Sequence, residues 1–169
     1  MYDYEKTVGA VDHYKLRKIL PVTPTPPSFD PAIGEISPTF ATIFAQANSA
    51  EDHQLDDIAG PGYRKALEFL IKDYGISLNA EKEATIKKSD LMYVIKNFLT
   101  GDSLPLVSSR AAWLGNDETH YERRWIDKDL TDLKKHIEAT VHFITMQTLV
   151  KGLPVDMPDT KLKVHVEVK

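Results

Sequence analysis

The chain has 169 residues, close to the size of one domain, and its 42% hydrophobic and 27% charged residues exclude disordered, collagen-like and fibrous chains. Lys and Arg number 21 against 25 Asp and Glu, so a formal net charge of −4 supplies no global positive field to draw in nucleic acid. With no cysteine, disulfides, thiolate metal sites, iron–sulfur clusters and thiol nucleophiles are all excluded.

The stretch Met1–Lys6 has neither the basic nor the apolar region of a signal peptide, and no run reaches the roughly 18 apolar residues of a membrane span. A soluble, cytoplasmic protein without membrane contact is expected. Residues 1–36 are expected to form an extended arm and strap. Tyr14, Leu16, Ile19 and Leu20 among basic residues suit a short strand or an extended arm. Six prolines between Pro21 and Pro38 then lock φ and remove donors, which predicts neither helix nor central strand there.

Residues 37–153 carry the helical patterns. Ser37-Pro38 has the form of an N-cap followed by proline at the first helical position, and Phe40, Ile43, Phe44 and Ala47 continue the stripe to about Leu55. The strongest pattern follows, with Tyr63, Ala66, Leu67, Leu70, Ile71 and Tyr74 on one face. Gly60-Pro61-Gly62 predicts a joint or bend ahead of it, and Gly75 predicts its stop. Residues 76–88 read as a solvated connection. Ser89 is expected to cap a short helix carrying Leu91, Val94, Ile95, Phe98 and Leu99, ended by Thr100-Gly101. A further helix opens at Ser103 with Pro105 and is expected to end at Gly115. Asp127 is expected to cap the longest one, with Leu130, Leu133, Ile137, Val141 and Ile144 on its core face and a stop near Gly152-Leu153-Pro154.

Residues 154–169 form a tail in which Lys161 to Lys169 alternate polar and apolar, the signature of a half-buried strand in need of a partner, either the N-terminal arm or another subunit. The fold class expected is all-α: a four- to five-helix bundle with an extended N-terminal proline-rich arm and a C-terminal β-like strand.

Chemistry-bearing residues concentrate at one junction. Arg110 to Trp125 contains both tryptophans, three arginines, His120 and Asn116. If the helix runs a turn past Gly115, Asn116 and His120 share a face at i,i+4. Against this stands a plain helix end, in which Asn116 caps and the tryptophans plug the bundle. Trp113, Tyr121 and Trp125 read as core rings in preference to a small-ligand pocket. Arg64 and Glu68, at i,i+4, read as a structural pair, with orientation of His120 as the lesser alternative. His136 and His142 are six apart and off one face, and His120 with Asp117 or Glu118 is a weak metal set, so no metal or cofactor is expected. Neither phosphate-binding glycine loops nor classical hydrolase motifs occur.

Two segments, Gly62-Tyr63-Arg64-Lys65-Ala66-Leu67-Glu68-Phe69-Leu70-Ile71-Lys72-Asp73-Tyr74 and Leu114-Gly115-Asn116-Asp117-Glu118-Thr119-His120, resemble the two signature segments of a bacterial family, domain of unknown function 4145. That family is itself similar to the HEPN helical bundles, which include toxins, defence nucleases and appended regulatory domains. The resemblance spans roughly residues 37–152 and implies a HEPN-like bundle and a homodimer. Active HEPN ribonucleases use an Arg-polar-x-x-x-His motif drawn from two facing subunits. The histidine exchanges protons at the ribose 2′-hydroxyl or leaving group, and the arginine stabilises the phosphorane without a metal. By this resemblance Asn116 and His120 take the polar and histidine positions, while Gly115 stands where the arginine would be. Arg110, Arg123 and Arg124 are the candidate substitutes. The leading expectation is a non-catalytic interaction or regulatory module with a protein partner. The alternative is a metal-independent endoribonuclease acting on RNA through Asn116 and His120.

Overall fold

A computed structural model describes residues 2–7, 13–19 and 28–157 of the chain. In chain order these form β1 (Tyr2–Thr7), β2 (His13–Ile19), α1 (Pro31–Ile36), α2 (Pro38–Asp52), α3 (Asp56–Leu78), a 3-10 turn (Ala80–Lys82), α4 (Glu83–Lys88), α5 (Leu91–Phe98), α6 (Ser103–Asp117) and α7 (Leu130–Asp156). The described residues thus hold seven α-helices, where four or five were expected. The N-terminal arm is a two-stranded antiparallel hairpin, pairing Tyr2 with Ile19 through to Thr7 with His13 and carrying an irregularity between Asp3 and Tyr4. The expected C-terminal strand, residues 161–169, lies outside the described residues. No helix among the described residues is long and apolar enough to cross a membrane.

Helix α3 is the axis of the bundle, with α2, α4, α5, α6 and α7 all packed against it. Its expected face is fully committed: Tyr63, Ala66, Leu67, Leu70, Ile71 and Tyr74 are all buried. The two tyrosines bring hydroxyls into this apolar layer, and each finds a partner, as buried hydroxyls must. Tyr63 Oη donates to Glu51 at 2.5 Å, Lys134 Nζ reaches the other oxygen of Glu51 at 2.6 Å, and Tyr74 Oη donates to Gln147 at 2.7 Å. Burial, reinforced by the Glu51 carboxylate, raises the Tyr63 hydroxyl well above the ordinary phenol range. These contacts tie α2 and α7 to opposite ends of α3.

Within the proline-rich strap, Pro31–Ile36 is helical where no helix was expected. Pro31 occupies the first position of α1, where its missing N–H belongs to no intrahelical bond, and Asp30 caps it by accepting from Ala32 N at 2.9 Å. Ile33 is then fully buried, and Phe29 packs on Phe40 and Phe44 at ring-centroid distances of 4.9 and 5.1 Å. Ser37 caps α2 as expected, accepting from Phe40 N. The joint between α2 and α3 falls at His53–Leu55, and α3 runs unbroken through Gly60-Pro61-Gly62. Pro154 likewise lies inside α7, past the expected stop. In each case the carbonyl that proline leaves without its helical partner, on Asp57 and on Val150, belongs to an exposed residue, where solvent can take the place of the lost bond.

Other helix ends move for reasons of packing. Gly75 does not stop α3, because the following Ile76 and Leu78 pack against the core and hold the chain helical past it. Residues 76–88 are not a solvated connection: they complete α3 and form the 3-10 turn and α4, which is anchored by the fully buried Ile86. Asp90, not Ser89, precedes α5, while Ser89 Oγ donates back to Thr85 O at 2.8 Å. Gly101, at φ 78°, makes the left-handed turn between α5 and α6. The cap of α7 is Asp129, in a reciprocal capping box with Asp132, not Asp127.

Two buried hydroxyls, on Ser108 and Thr145, lack a partner among the described residues. Ser108 on α6 is fully buried and its Oγ makes no hydrogen bond. Ser108→Ala removes an unsatisfied hydroxyl and raises helix propensity, so it is expected to stabilise the fold by about 1 kcal/mol. Urea denaturation should show a higher midpoint at unchanged slope; a lower midpoint would mean that the hydroxyl is bonded.

Candidate functional site

Helix α6 continues through Gly115 to Asp117, two residues past the expected stop, and the chain then turns at Glu118 and Thr119. The helix does not reach His120, so Asn116 and His120 do not share a helical face. The turn does the same work: Thr119 N and Oγ1 both donate to Asn116 O, at 2.9 and 2.8 Å, and fold the chain back. Asn116 and His120 thereby line one cleft of about 780 Å³, together with Trp113, Asp117, Tyr121, Glu122, Arg123, Arg124 and Trp125.

The reason α6 carries glycine at 115 lies across the bundle. A Cβ built on Gly115 would sit 2.6 Å from Arg64 Cδ and 3.0 Å from Arg64 Cβ, so the stem of Arg64 occupies that space. The relation is reciprocal: a Cβ on Gly60 would sit 2.7 Å from Glu118 Cβ. Where α3 crosses the end of α6, each helix supplies a glycine: Arg64 of α3 lies against Gly115, and Glu118, the residue just past α6, lies against Gly60. Arg64 Nε then donates to Asn116 Oδ1 at 2.9 Å, and its Nη1 donates to Glu68 at 3.1 Å, with Lys72 on the other Glu68 oxygen at 2.7 Å. The expected Arg64–Glu68 pair is therefore present, but the residue Arg64 orients is Asn116, not His120. Lys72 and Arg64 together hold the Glu68 carboxyl below its usual range, against the opposing effect of burial.

The loop between α6 and α7 hangs on Asp117. This side chain is 5% exposed, and its Oδ2 accepts from Arg124 N at 2.8 Å and from Trp125 N at 2.7 Å. Those two bonds bring Trp125 beside Trp113, with rings 9° from parallel and centroids 6.3 Å apart. The expectation that these rings plug the core is overturned. Trp113 is 37% exposed on α6, and the loop carries Trp125, 42% exposed, and Tyr121, fully exposed, to the same rim of the bundle.

The three candidate arginines separate. Arg123 is engaged by Glu118 at 2.6 Å and by Lys128 O at 2.9 Å. Burial pushes the Glu118 carboxyl up from its ordinary range in spite of Arg123. Arg110 does not line the main cleft; its guanidinium lies 4.9 Å from the ring centroid of Trp113, beside an adjoining cavity of about 250 Å³ that Lys128 and His136 also line. Arg124 lines the main cleft, and its guanidinium has no hydrogen-bond partner among the described residues. Asp117 and Glu118 are both engaged elsewhere, and no group of three His, Asp or Glu able to hold a metal occurs among the described residues.

Sequence reasoning missed the contact of Arg64 with Asn116, which joins residues 52 apart in the chain, and missed Asp117 as the anchor of the loop. No family model, curated protein or solved structure matches this chain. The site is accordingly interpreted from its geometry.

Proposed function

We propose that this chain is a non-catalytic interaction module built on a HEPN-like helical bundle. The observation that carries the reading is at position 115, where a catalytic arginine would stand and where glycine makes room for Arg64. That arginine does not line the cleft; it is engaged by Asn116 and Glu68, so its charge is answered inside the protein. Asn116 in turn uses its acceptor oxygen on Arg64. The machinery that would stabilise a phosphorane is here a brace between two helices.

The grouping of Asn116, His120 and Arg124 on one cleft favours a second reading, a metal-independent endoribonuclease that acts as a homodimer. Incubation of the protein with a mixed RNA pool in EDTA, beside His120→Ala, separates the two. The expected result is intact RNA with both proteins. Cleavage by the unmodified protein that is lost in His120→Ala would replace the first reading with the second.

A further inference from the structure

We infer that the cleft between α6 and α7 binds a small planar aromatic anion, a ring bearing a phosphate or carboxylate group. The inference rests on the binding reading above and names the ligand class. Both tryptophans of the chain stand in this cleft, nearly parallel and more than one-third exposed. Stacked indoles at a surface leave π faces for a further ring, and Tyr121 adds a third exposed aromatic at the same rim. Arg110 against Trp113 keeps a cation beside the pair.

The polar groups set the charge of the ligand. Asn116 accepts through Oδ1 from Arg64, which leaves its amide N–H groups as the free end, without a partner among the described residues. The Arg124 guanidinium and the His120 ring are also unpartnered among those residues. The acids of the cleft are fewer: Asp117 has one oxygen engaged by two backbone N–H groups, and Glu122 is exposed. Beside the cleft, Glu118 is neutralised by Arg123. The free groups are thus mostly donors, suited to an anion. A net charge of −4 opposes a long polyanion, so the ligand is a small molecule and not a nucleic acid strand. A volume of about 780 Å³ holds a ligand of that size.

Because Trp113 and Trp125 are the protein's two tryptophans, indole fluorescence, excited where tyrosine does not absorb, reports on this cleft and the smaller cavity that adjoins it. The test titrates the full chain with adenosine 5′-monophosphate and with nicotinate, against their uncharged counterparts adenosine and nicotinamide and against inorganic phosphate. Calorimetry with the same probes reads any binding that leaves the indoles unperturbed. At least one aromatic anion should quench saturably and bind about tenfold or more tightly than its neutral counterpart, with phosphate alone weaker than either. Arg124→Gln should reduce that difference several-fold by weakening the anion more than the neutral ring, and Trp113→Leu should weaken both. Which of the two anions binds tells phosphate from carboxylate. Equal affinity for charged and neutral rings, or no saturable binding of any probe at millimolar concentration, would overturn the inference. Either result leaves the RNA experiment untouched, so the two readings fail separately.

Discussion

Gly115→Ala is expected to destabilise the bundle by about 2 kcal/mol, a reversal of what helix propensity alone dictates. In a helix interior alanine is favoured over glycine by about 1 kcal/mol. Here the new methyl would meet Arg64 at 2.6 Å through Cδ and at 3.0 Å through Cβ. The outer contact could yield by rotating the arginine, but the inner one belongs to the root of the side chain and moves only with α3. Overpacking of this kind costs about 1–3 kcal/mol. Turning the guanidinium away also breaks its bonds to Asn116 and Glu68, at about 1 kcal/mol each. The losses exceed the gain. Gly34→Ala is the internal control: it lies in α1 with nothing within 4 Å of its built Cβ, so propensity acts unopposed and stability should rise. Urea denaturation of the two variants should move the midpoint in opposite directions. Equal or greater stability of Gly115→Ala would show that Arg64 is not held against that glycine.

The contrast between these glycines marks where the sequence is legible. Helices α2 and α3 carry a single apolar stripe long enough to declare its period, and the buried side chains of α3 are the ones the spacing picks out. Ser37 reads correctly as a cap because capping is settled within three residues. Gly75 and Gly115 read as helix ends because a glycine's local meaning is conformational, while at Gly115 its meaning is steric and set by another helix, and at Gly75 the packing of Ile76 and Leu78 carries the helix on. Pro61 and Pro154 read as breaks because exposure of the freed carbonyl is a tertiary fact.

The candidate site divides along the same line. The stretch from Arg110 to Trp125 was visible as a concentration of chemistry, and Asn116, His120, Arg123 and Arg124 do meet at one cleft. Their separate fates were not visible. That Arg123 is tied to Glu118 and Arg124 is unpartnered among the described residues follows from how the loop folds, and no periodicity describes that loop. Two aromatic rings of high hydrophobicity suggest core, but Trp113 is partly exposed on α6 and the loop sets Trp125 against it as a stacked pair.

Asp117 governs that loop, and its replacement should have the largest effect on the cleft. One buried carboxylate oxygen serves two consecutive backbone donors, Arg124 N and Trp125 N. Hydrogen bonds to a charged acceptor contribute about 1.5–3 kcal/mol each, so Asp117→Ala should cost roughly 3–6 kcal/mol if the loop stayed in position. It need not stay. The two N–H groups can reach water when residues 118–129 swing away, and that local opening has a lower cost than global unfolding. The helices, whose core faces lie elsewhere, should keep most of their stability. Trp125 would leave Trp113, and fluorescence from the two indoles should shift to the red. Arg123 and Arg124 would become better trypsin sites, so cleavage between α6 and α7 should accelerate about tenfold or more. Asp117→Asn retains an acceptor oxygen but loses the charge, and should fall between the wild type and the alanine variant on both measures. That graded order separates the hydrogen-bonding role of Asp117 from simple loss of volume, because asparagine fills the same space. An asparagine variant as labile as the alanine variant would assign the anchoring to charge. Unchanged fluorescence and unchanged trypsin cleavage in Asp117→Ala would show that the loop is held by some other contact, and that the stacked pair of tryptophans forms without it.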